Sequence, residues 1–315
     1  MAGDLLVNPR GIGDRVYRIA ITAAALTVPA LIILAGAAVF LGGWPALKQF
    51  GFSFITSSDW DPVAGRFGAA PAIFGTIVTS IIALIIATPL ALGVALFISE
   101  IAPAWLRTPL AFLVDLLAAI PSVVYGLWGY FVLIPLLRVH LMPFLTKTLH
   151  LGGLPLFAGP QYGQSMLAAG LILAIMVLPY ISAVSREVLL VVPRSQREAA
   201  LALGATRWEM ISGAVIPYAK SGIIGGIVLG LGRALGETMA VTMLIGNQYQ
   251  ISASLFAPSY TMASLIANEF SEASGDLHLS ALMAVGFVLF VITLIVNAVA
   301  RWLVWRVARG EGRAA

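Results

Sequence analysis

Apolar residues in this chain come in long runs, not in the short alternations of a sheet or the narrow stripes of a soluble helix. Six runs stand out, over 16–41, 71–99, 110–137, 166–191, 221–245 and 279–304. Each reaches the roughly 20 residues that a helix needs to cross the hydrocarbon of a bilayer. Backbone polar groups in lipid must be satisfied within their own segment, so each run is predicted to be helical. The expected fold class is therefore all-α and polytopic, with six transmembrane helices. The first run exceeds the apolar core of about 7–15 residues found in a signal peptide, and five more follow, so it is expected to be retained.

Composition narrows the picture further. The chain is 60% hydrophobic and 10% charged, against about 25% charged in soluble domains, which excludes one water-soluble core. With no cysteine, disulfides, thiolate metal sites and cysteine nucleophiles are excluded. His140, His150 and His278 fall outside the runs with no ligand spacing and are read as surface or loop residues.

Lys and Arg concentrate in alternate connecting segments. If the N-terminus is cytoplasmic, the inner segments hold Arg10, Arg15, Arg18, Arg107, the basic residues of 185–220 and those from Arg301 to Arg313, whereas the outer ones hold only Lys48, Arg66, Arg138 and Lys147. The positive-inside tendency then places both termini in the cytoplasm. The isoelectric point of 9.6 reflects this topology, since no basic cluster of the kind that binds nucleic acid is present. The outer segments are 42–70, with Asp59-Trp60-Asp61-Pro62; 138–164, rich in Gly and Pro; and 247–276, with Glu269, Glu272 and Asp276 but no Lys or Arg. The last would repel an approaching anion.

Two charges lie inside the fifth run: Arg233 and Glu237. Four residues apart, they would share one face of a helix. Each would cost roughly 2.5–3.5 kcal/mol at the bilayer centre if unpaired. They are read either as a site for a charged substrate or as an ion pair that only aids folding. Gly222, Gly226 and Gly230 step towards them along one stripe and are expected to face another helix closely.

The segment 185–220 carries two [ST]-x-x-E patterns, Ser195 to Glu198 and Thr206 to Glu209, with Gly204 between them and Pro193 before the first. Both patterns fit capping boxes and the glycine fits a helix C-cap. Two short helices meeting at an elbow are expected, either as a docking knob for a soluble partner or as an ordinarily capped loop. Glu198-Ala199-Ala200, three residues, Gly204, then nine residues and a hydrophobic pair before Pro217 resembles the EAA loop of ABC importer permeases. That family closes the pattern with Ile-x-Leu-Pro, where this chain has Ala214 and Ile216. The resemblance implies that Glu198, Ala199, Ala200 and Gly204 belong to a coupling helix docking on a separate ATP-binding subunit. The chain itself has no Gly-x-x-x-x-Gly-Lys-Ser/Thr phosphate loop.

Three more stretches are specific: Asp59-Trp60-Asp61-Pro62 with Phe67-Gly68-Ala69 and Gly75-Thr76, then 117–129, then 229–240 containing Arg233-Ala-Leu-Gly-Glu237. Together they resemble the PstC-type permeases of bacterial phosphate ABC importers, over nearly the whole chain. The resemblance implies a five-helix type I importer (MetI-like) core with one extra N-terminal helix, in the bacterial cytoplasmic membrane. It implies no catalytic residues, cofactor or metal, and alternating access driven by ATP hydrolysis on another subunit. Partners would be a PstA-like second permease, a PstB-like ATPase dimer and a PstS-like periplasmic phosphate-binding protein. Arg233 and Glu237 would take part in passage of inorganic phosphate, with the glycine stripe placed at the seam between the two permeases.

The corresponding organisation is 1–70 for the N-terminus, first helix and first outer loop; 71–305 for the core, with the coupling loop at about 193–217; and 306–315 for a cytoplasmic tail. Thr76, Thr79, Ser80, Ser122 and Tyr125 could complete a substrate path or serve as interhelical glue. Pro121 is expected to kink the third span, and Pro89 and Pro179 their own spans. Asp115 is expected in an ion pair near Arg107. Two rival readings stay open: a permease for another oxyanion such as sulfate, molybdate or phosphonate, and a membrane subunit that senses phosphate without conducting it.

Overall fold

The computed structural model describes residues 12–311; Arg10, Arg313 and the end of the expected tail lie outside them. The principal helices in order are α1 (Ile12–Phe50), α2 (Ala70–Leu96), α3 (Ala104–Ala119) and α4 (Ser122–Trp128). Then come α5 (Met166–Val191), α6 (Arg194–Ala202), α7 (Arg207–Met210) and α8 (Ile216–Gly236), the last two joined by a π turn at Ile211–Val215. Finally α9 (Met239–Leu244), α10 (Met262–Glu269) and α11 (Asp276–Glu311) complete the chain. Among the described residues, six helical segments are long and apolar enough to cross a membrane. A short antiparallel ribbon, Trp60–Asp61 against Arg66–Phe67, follows α1.

The axis of the bundle is α5. Its apolar window is 61% buried, against 6% for α1, so α5 is wrapped by protein and α1 stands at the edge. Ala83, Ala87 and Ala91 of α2 pack with Ala169, Leu173 and Val177 of α5. Small residues let these two helices approach closely, since in lipid packing replaces the hydrophobic drive. The glycine stripe of α8 serves the same purpose. A Cβ on Gly222 would come within 2.5 Å of Val188, and one on Gly230 within 2.7 Å of Ile181. The stripe thus lies against α5 of the same chain, which corrects the expectation that placed it at a seam between subunits.

The edge helix α1 is held to α11 by a short seam. A Cβ on Gly43 would meet the Ala284 backbone nitrogen at 2.7 Å, Phe40 and Phe287 rings lie 4.9 Å apart, and Ala46 N–H donates to Ser280 Oγ at 3.0 Å.

Two spans differ from the expected runs. The third does not run through 110–137. Ile120 and Pro121 are extended (ψ 128° and 140°) and separate α3 from α4, because proline lacks an N–H and pushes the preceding residue out of the helical region. The membrane-length segment is Ser122–Thr148, 27 residues, which reaches into the segment expected as outer loop. The fifth span is broken as well. α8 ends at Gly236, and Glu237 is extended (φ −72°, ψ 126°) before α9 begins. No proline stands at this break.

The pieces that follow the two breaks pack on each other. A Cβ on Gly126 of α4 would meet Met243 Sδ at 2.5 Å, and one on Gly129 would meet Leu244 of α9 at 2.7 Å.

Candidate functional site

Arg233 sits in the last turn of α8 and Glu237 just beyond its end. The pair does not share a helical face, as a continuous span would require; the break turns Glu237 back towards the arginine. The closest approach is Arg233 Nη2 to Glu237 Oε2 at 3.8 Å, with the side chains 34% and 7% exposed. That distance is an ion contact but too long for a hydrogen bond. Glu237 Oε1 also lies 3.5 Å from the Ala240 N–H of α9.

The guanidinium is held chiefly by a ring. Its carbon lies 4.8 Å from the centroid of Tyr180 on α5, within the range of a cation–π contact. The Tyr180 hydroxyl donates to the Ala118 carbonyl at 3.2 Å, and the Tyr125 hydroxyl to the Leu117 carbonyl at 2.7 Å. Both carbonyls belong to the last turn of α3, where the helix ladder ends before Pro121; the Leu117 carbonyl otherwise accepts only a long bond of 3.4 Å from the Ile120 N–H. Two tyrosines therefore cap one broken span, and one of them supports the arginine at the other break. Arg233 Nε is buried without a partner, and no nitrogen of Arg233 makes a hydrogen bond among the described residues. A guanidinium carries five N–H donors in a planar fork. Here its face is covered and its donors are uncommitted, which suits an oxyanion approaching the edge.

The hydroxyl candidates divide. Thr76 and Thr79 are 1% exposed and donate to carbonyls of their own helix, at 2.7 Å each. Thr76 Oγ1 also accepts the Met262 N–H at 2.9 Å, so it caps α10. Ser80 Oγ is buried with no partner. Ser122 is half-buried in the first turn of α4. Asp115 is exposed on α3 and makes no ion pair among the described residues; Arg107 donates instead to the Ala102 carbonyl at 2.9 Å. Its expected pairing is thereby corrected: the arginine caps the chain where α3 begins.

At the elbow, the Thr206–Glu209 capping box forms, with Thr206 N–H donating to Glu209 Oε2 at 2.7 Å and Glu209 N–H to Thr206 Oγ1 at 3.3 Å. Gly204 has φ +85°. Its N–H donates to Leu201 O and that of Ala205 to Ala200 O, the paired bonds of a Schellman turn. The first expected box, Ser195 to Glu198, does not form. Pro193 occupies the N-cap place, which puts Ser195 inside the first turn and leaves Glu198 exposed. Glu198 and Ala199 face outward, Ala200 is half-buried, and Leu203 and Trp208 are 90% and 67% exposed.

His278 also departs from expectation. It is 8% exposed, lies 5.3 Å from the Phe67 ring, and its Nε2 is 3.0 Å from Glu269 Oε2. The Trp60 indole donates to the same oxygen at 2.6 Å. Lying in the first turn of α11 beneath the ribbon, this histidine needs a polar partner and finds it in the acidic loop. Glu269 is therefore committed to packing.

Sequence reasoning missed Tyr180 and the break at Glu237. The signal for the former was an aromatic directly after Pro179 in the interior of a span. For the latter the only local sign was Gly236.

Residues 87–309 match the family model described as binding-protein-dependent transport system inner membrane component. The phosphate transport system permease protein PstC of Mesorhizobium japonicum is 48% identical over 98% of this chain and 95% of its own length. The PstC of Pasteurella multocida is 50% identical over 86% of this chain and 85% of its own. Among solved structures, a bacterial alginate ABC transporter in complex with an alginate-bound periplasmic protein superposes with a TM-score of 0.61 at 18% identity, over 94% of this chain and 97% of the other. The MetNI methionine transporter in an inward-facing form gives 0.56 at 17% identity, over 75% and 94%.

Proposed function

Because the chain belongs to the binding-protein-dependent transport system inner membrane components, within the PstC group of phosphate permeases, we propose that it forms part of the membrane path for inorganic phosphate, with Arg233 as its anion-binding residue. The observation that carries this reading is the Arg233 guanidinium, one face on Tyr180, its donors uncommitted and its counter-charge 3.8 Å away. Phosphate approaching the edge would take bidentate hydrogen bonds that Glu237 does not make. Glu237 then competes for the same positive charge, which keeps the site from holding its anion too tightly to release it.

The complete importer pairs this subunit with a second, PstA-like permease, a PstB-like ATPase dimer beneath and a PstS-like phosphate-binding protein outside. The elbow end faces the cytoplasm, as do both termini. Exposed Leu203 and Trp208 supply the apolar part of the ATPase dock, and Glu198 and Ala199 its outer face. ATP binding closes the ATPase dimer, α6 follows it, and the bundle opens outwards; hydrolysis resets it. Ser80, with its hydroxyl unpartnered, and Ser122 remain candidates for the path, whereas Thr76, Thr79 and Tyr125 are engaged in capping and helix bonds.

The test is ATP-driven phosphate uptake by the complex reconstituted in liposomes, comparing wild type, Arg233→Gln and Arg233→Gln/Glu237→Gln, with assembly checked in each. Loss of uptake in both variants with intact complexes is expected. Normal uptake by the double variant would mean that the pair is only structural.

A further inference from the structure

One arginine on the elbow faces inward, away from the docking surface. Arg197 Nη2 lies 2.8 Å from Glu100 Oε1 and its Nε lies 3.2 Å from Glu100 Oε2, a two-pronged ion pair across the chain. The same guanidinium donates to the Leu189 carbonyl at 2.8 Å and to the Val192 carbonyl. Glu100 is 7% and Arg197 19% exposed. Glu100 belongs to the π turn Phe97–Ile101 that ends α2. Leu189 and Val192 end α5. One side chain of α6 thus grips the ends of two core helices at once.

Little else fastens α6. It continues from α5 through Val192 and the extended Pro193, and Ala200 packs on a cluster of Leu189, Met210, Ile211 and Val215. Its next residues outward, Glu198 and Ala199, are exposed. The helix therefore has an outer face for a partner and an inner clasp to the bundle. A buried ion pair loses much when one member goes, because the other is left charged and unpaired.

We infer that Arg197 and Glu100 form the clasp that carries displacement of the docking helix α6 into α2 and α5, making them positioning residues for coupled transport. The inference rests on reading α6 as the ATPase-docking helix. The movement has a destination: α5 carries Tyr180, which supports Arg233. The planar fork and the two extra carbonyl bonds explain an arginine here, since lysine could not satisfy all four oxygens at once.

The test measures phosphate uptake and ATP hydrolysis side by side in the reconstituted complex. Glu100→Gln keeps the size of the side chain, removes its charge and leaves one acceptor oxygen where the carboxylate offers two. The expected result is an assembled complex that still hydrolyses ATP but moves about tenfold less phosphate per ATP. A second variant exploits the absence of cysteine in this chain: Glu100→Cys/Arg197→Cys, bridged by a short bis-methanethiosulfonate, which forms a reducible disulfide with each thiol as sulfinate leaves. Coupling should be low before bridging, recover after it and fall again on reduction. An unchanged phosphate-to-ATP ratio in Glu100→Gln overturns the clasp. If Glu100→Gln does not assemble, the cysteine pair decides, and a ratio indifferent to bridging overturns it. Stimulation of hydrolysis by the binding protein is read independently of uptake. Absence of phosphate uptake in wild type would therefore overturn the assigned substrate while the clasp is still judged on stimulation.

Discussion

The Arg233 guanidinium lies over the ring of Tyr180, 4.8 Å from its centroid, and the hydroxyl of that ring is bonded to Ala118 at the broken end of α3. Ring and hydroxyl do different things, and substitutions separate them. Tyr180→Leu removes the support of the cation; a contact of this kind contributes about 0.5–2 kcal/mol, so phosphate uptake at low phosphate should fall by roughly 2- to 30-fold. Tyr180→Phe keeps the ring and should retain most of the uptake. Equal losses in both variants would place the importance in the hydroxyl and the α3 end instead.

Gly204 holds φ +85° in the Schellman turn of the elbow. An L side chain in this region costs about 1–2 kcal/mol. Gly204→Ala is expected to loosen the angle between α6 and α7 and weaken retention of the ATPase subunit during purification, with Gly204→Asn milder. Undiminished retention in Gly204→Ala would show that the elbow tolerates a different turn.

Two glycines of α2 make a paired test of packing. A Cβ on Gly75 would lie 2.0 Å from the Tyr260 carbonyl oxygen, whereas Gly93 has nothing within 4 Å. Gly75→Ala must push loop backbone aside and is expected to abolish folding or lower the melting temperature of the purified complex by many degrees. Gly93→Ala should leave it unchanged or raise it slightly, since alanine is the better helix former by about 1 kcal/mol. Similar melting temperatures for the two variants would contradict the tight approach of that loop.

Alkaline pH should act through Tyr249. Burial, and secondarily the nearby Glu269 carboxylate, push its phenol well above the ordinary value of 10.0, and the hydroxyl donates to the Gly68 carbonyl. A folded pKa raised above the unfolded one means that the folded state holds the proton longer. The contribution is therefore complete below about pH 10 and declines as pH rises above it. Tyr249→Phe should lose stability at neutral pH and show a shallower fall between pH 10 and 12 in melting experiments, since an unfolded tyrosine titrates at about 10. A parallel fall in both proteins would remove Tyr249 from the account.

Most of the architecture was legible because a membrane span announces itself by length. All six spans were visible as apolar runs, and Thr206 to Glu209 and Gly204 were visible because caps are local chemistry. What was hidden depends on tertiary partners. Apolar residues 110–119 and 122–137 read as one run across Pro121, because hydropathy does not register an extended residue. The break at Glu237 has no proline to mark it, and the ring that supports the neighbouring Arg233, Tyr180, is far away in sequence. The Ser195 box failed because Pro193 had already claimed the start of α6. His278 looked like a loop residue because its partners, Trp60, Phe67 and Glu269, arrive from three separate segments.

The shortness of the seam between α1 and α11 bears on how the subunit meets its lipid. Every residue from 13 to 35 is exposed, and the close contacts begin at Gly36 and end at Ala46. The apolar run 16–41 within this helix is about 39 Å long, longer than the hydrocarbon thickness of about 30 Å. Such an excess can be met by tilt, and tilting the arm before Gly36 disturbs no buried residue of that arm among the described residues. Thinner or thicker bilayers would swing α1 like an outrigger, and Arg233, near the end of α8, would be insulated from the change.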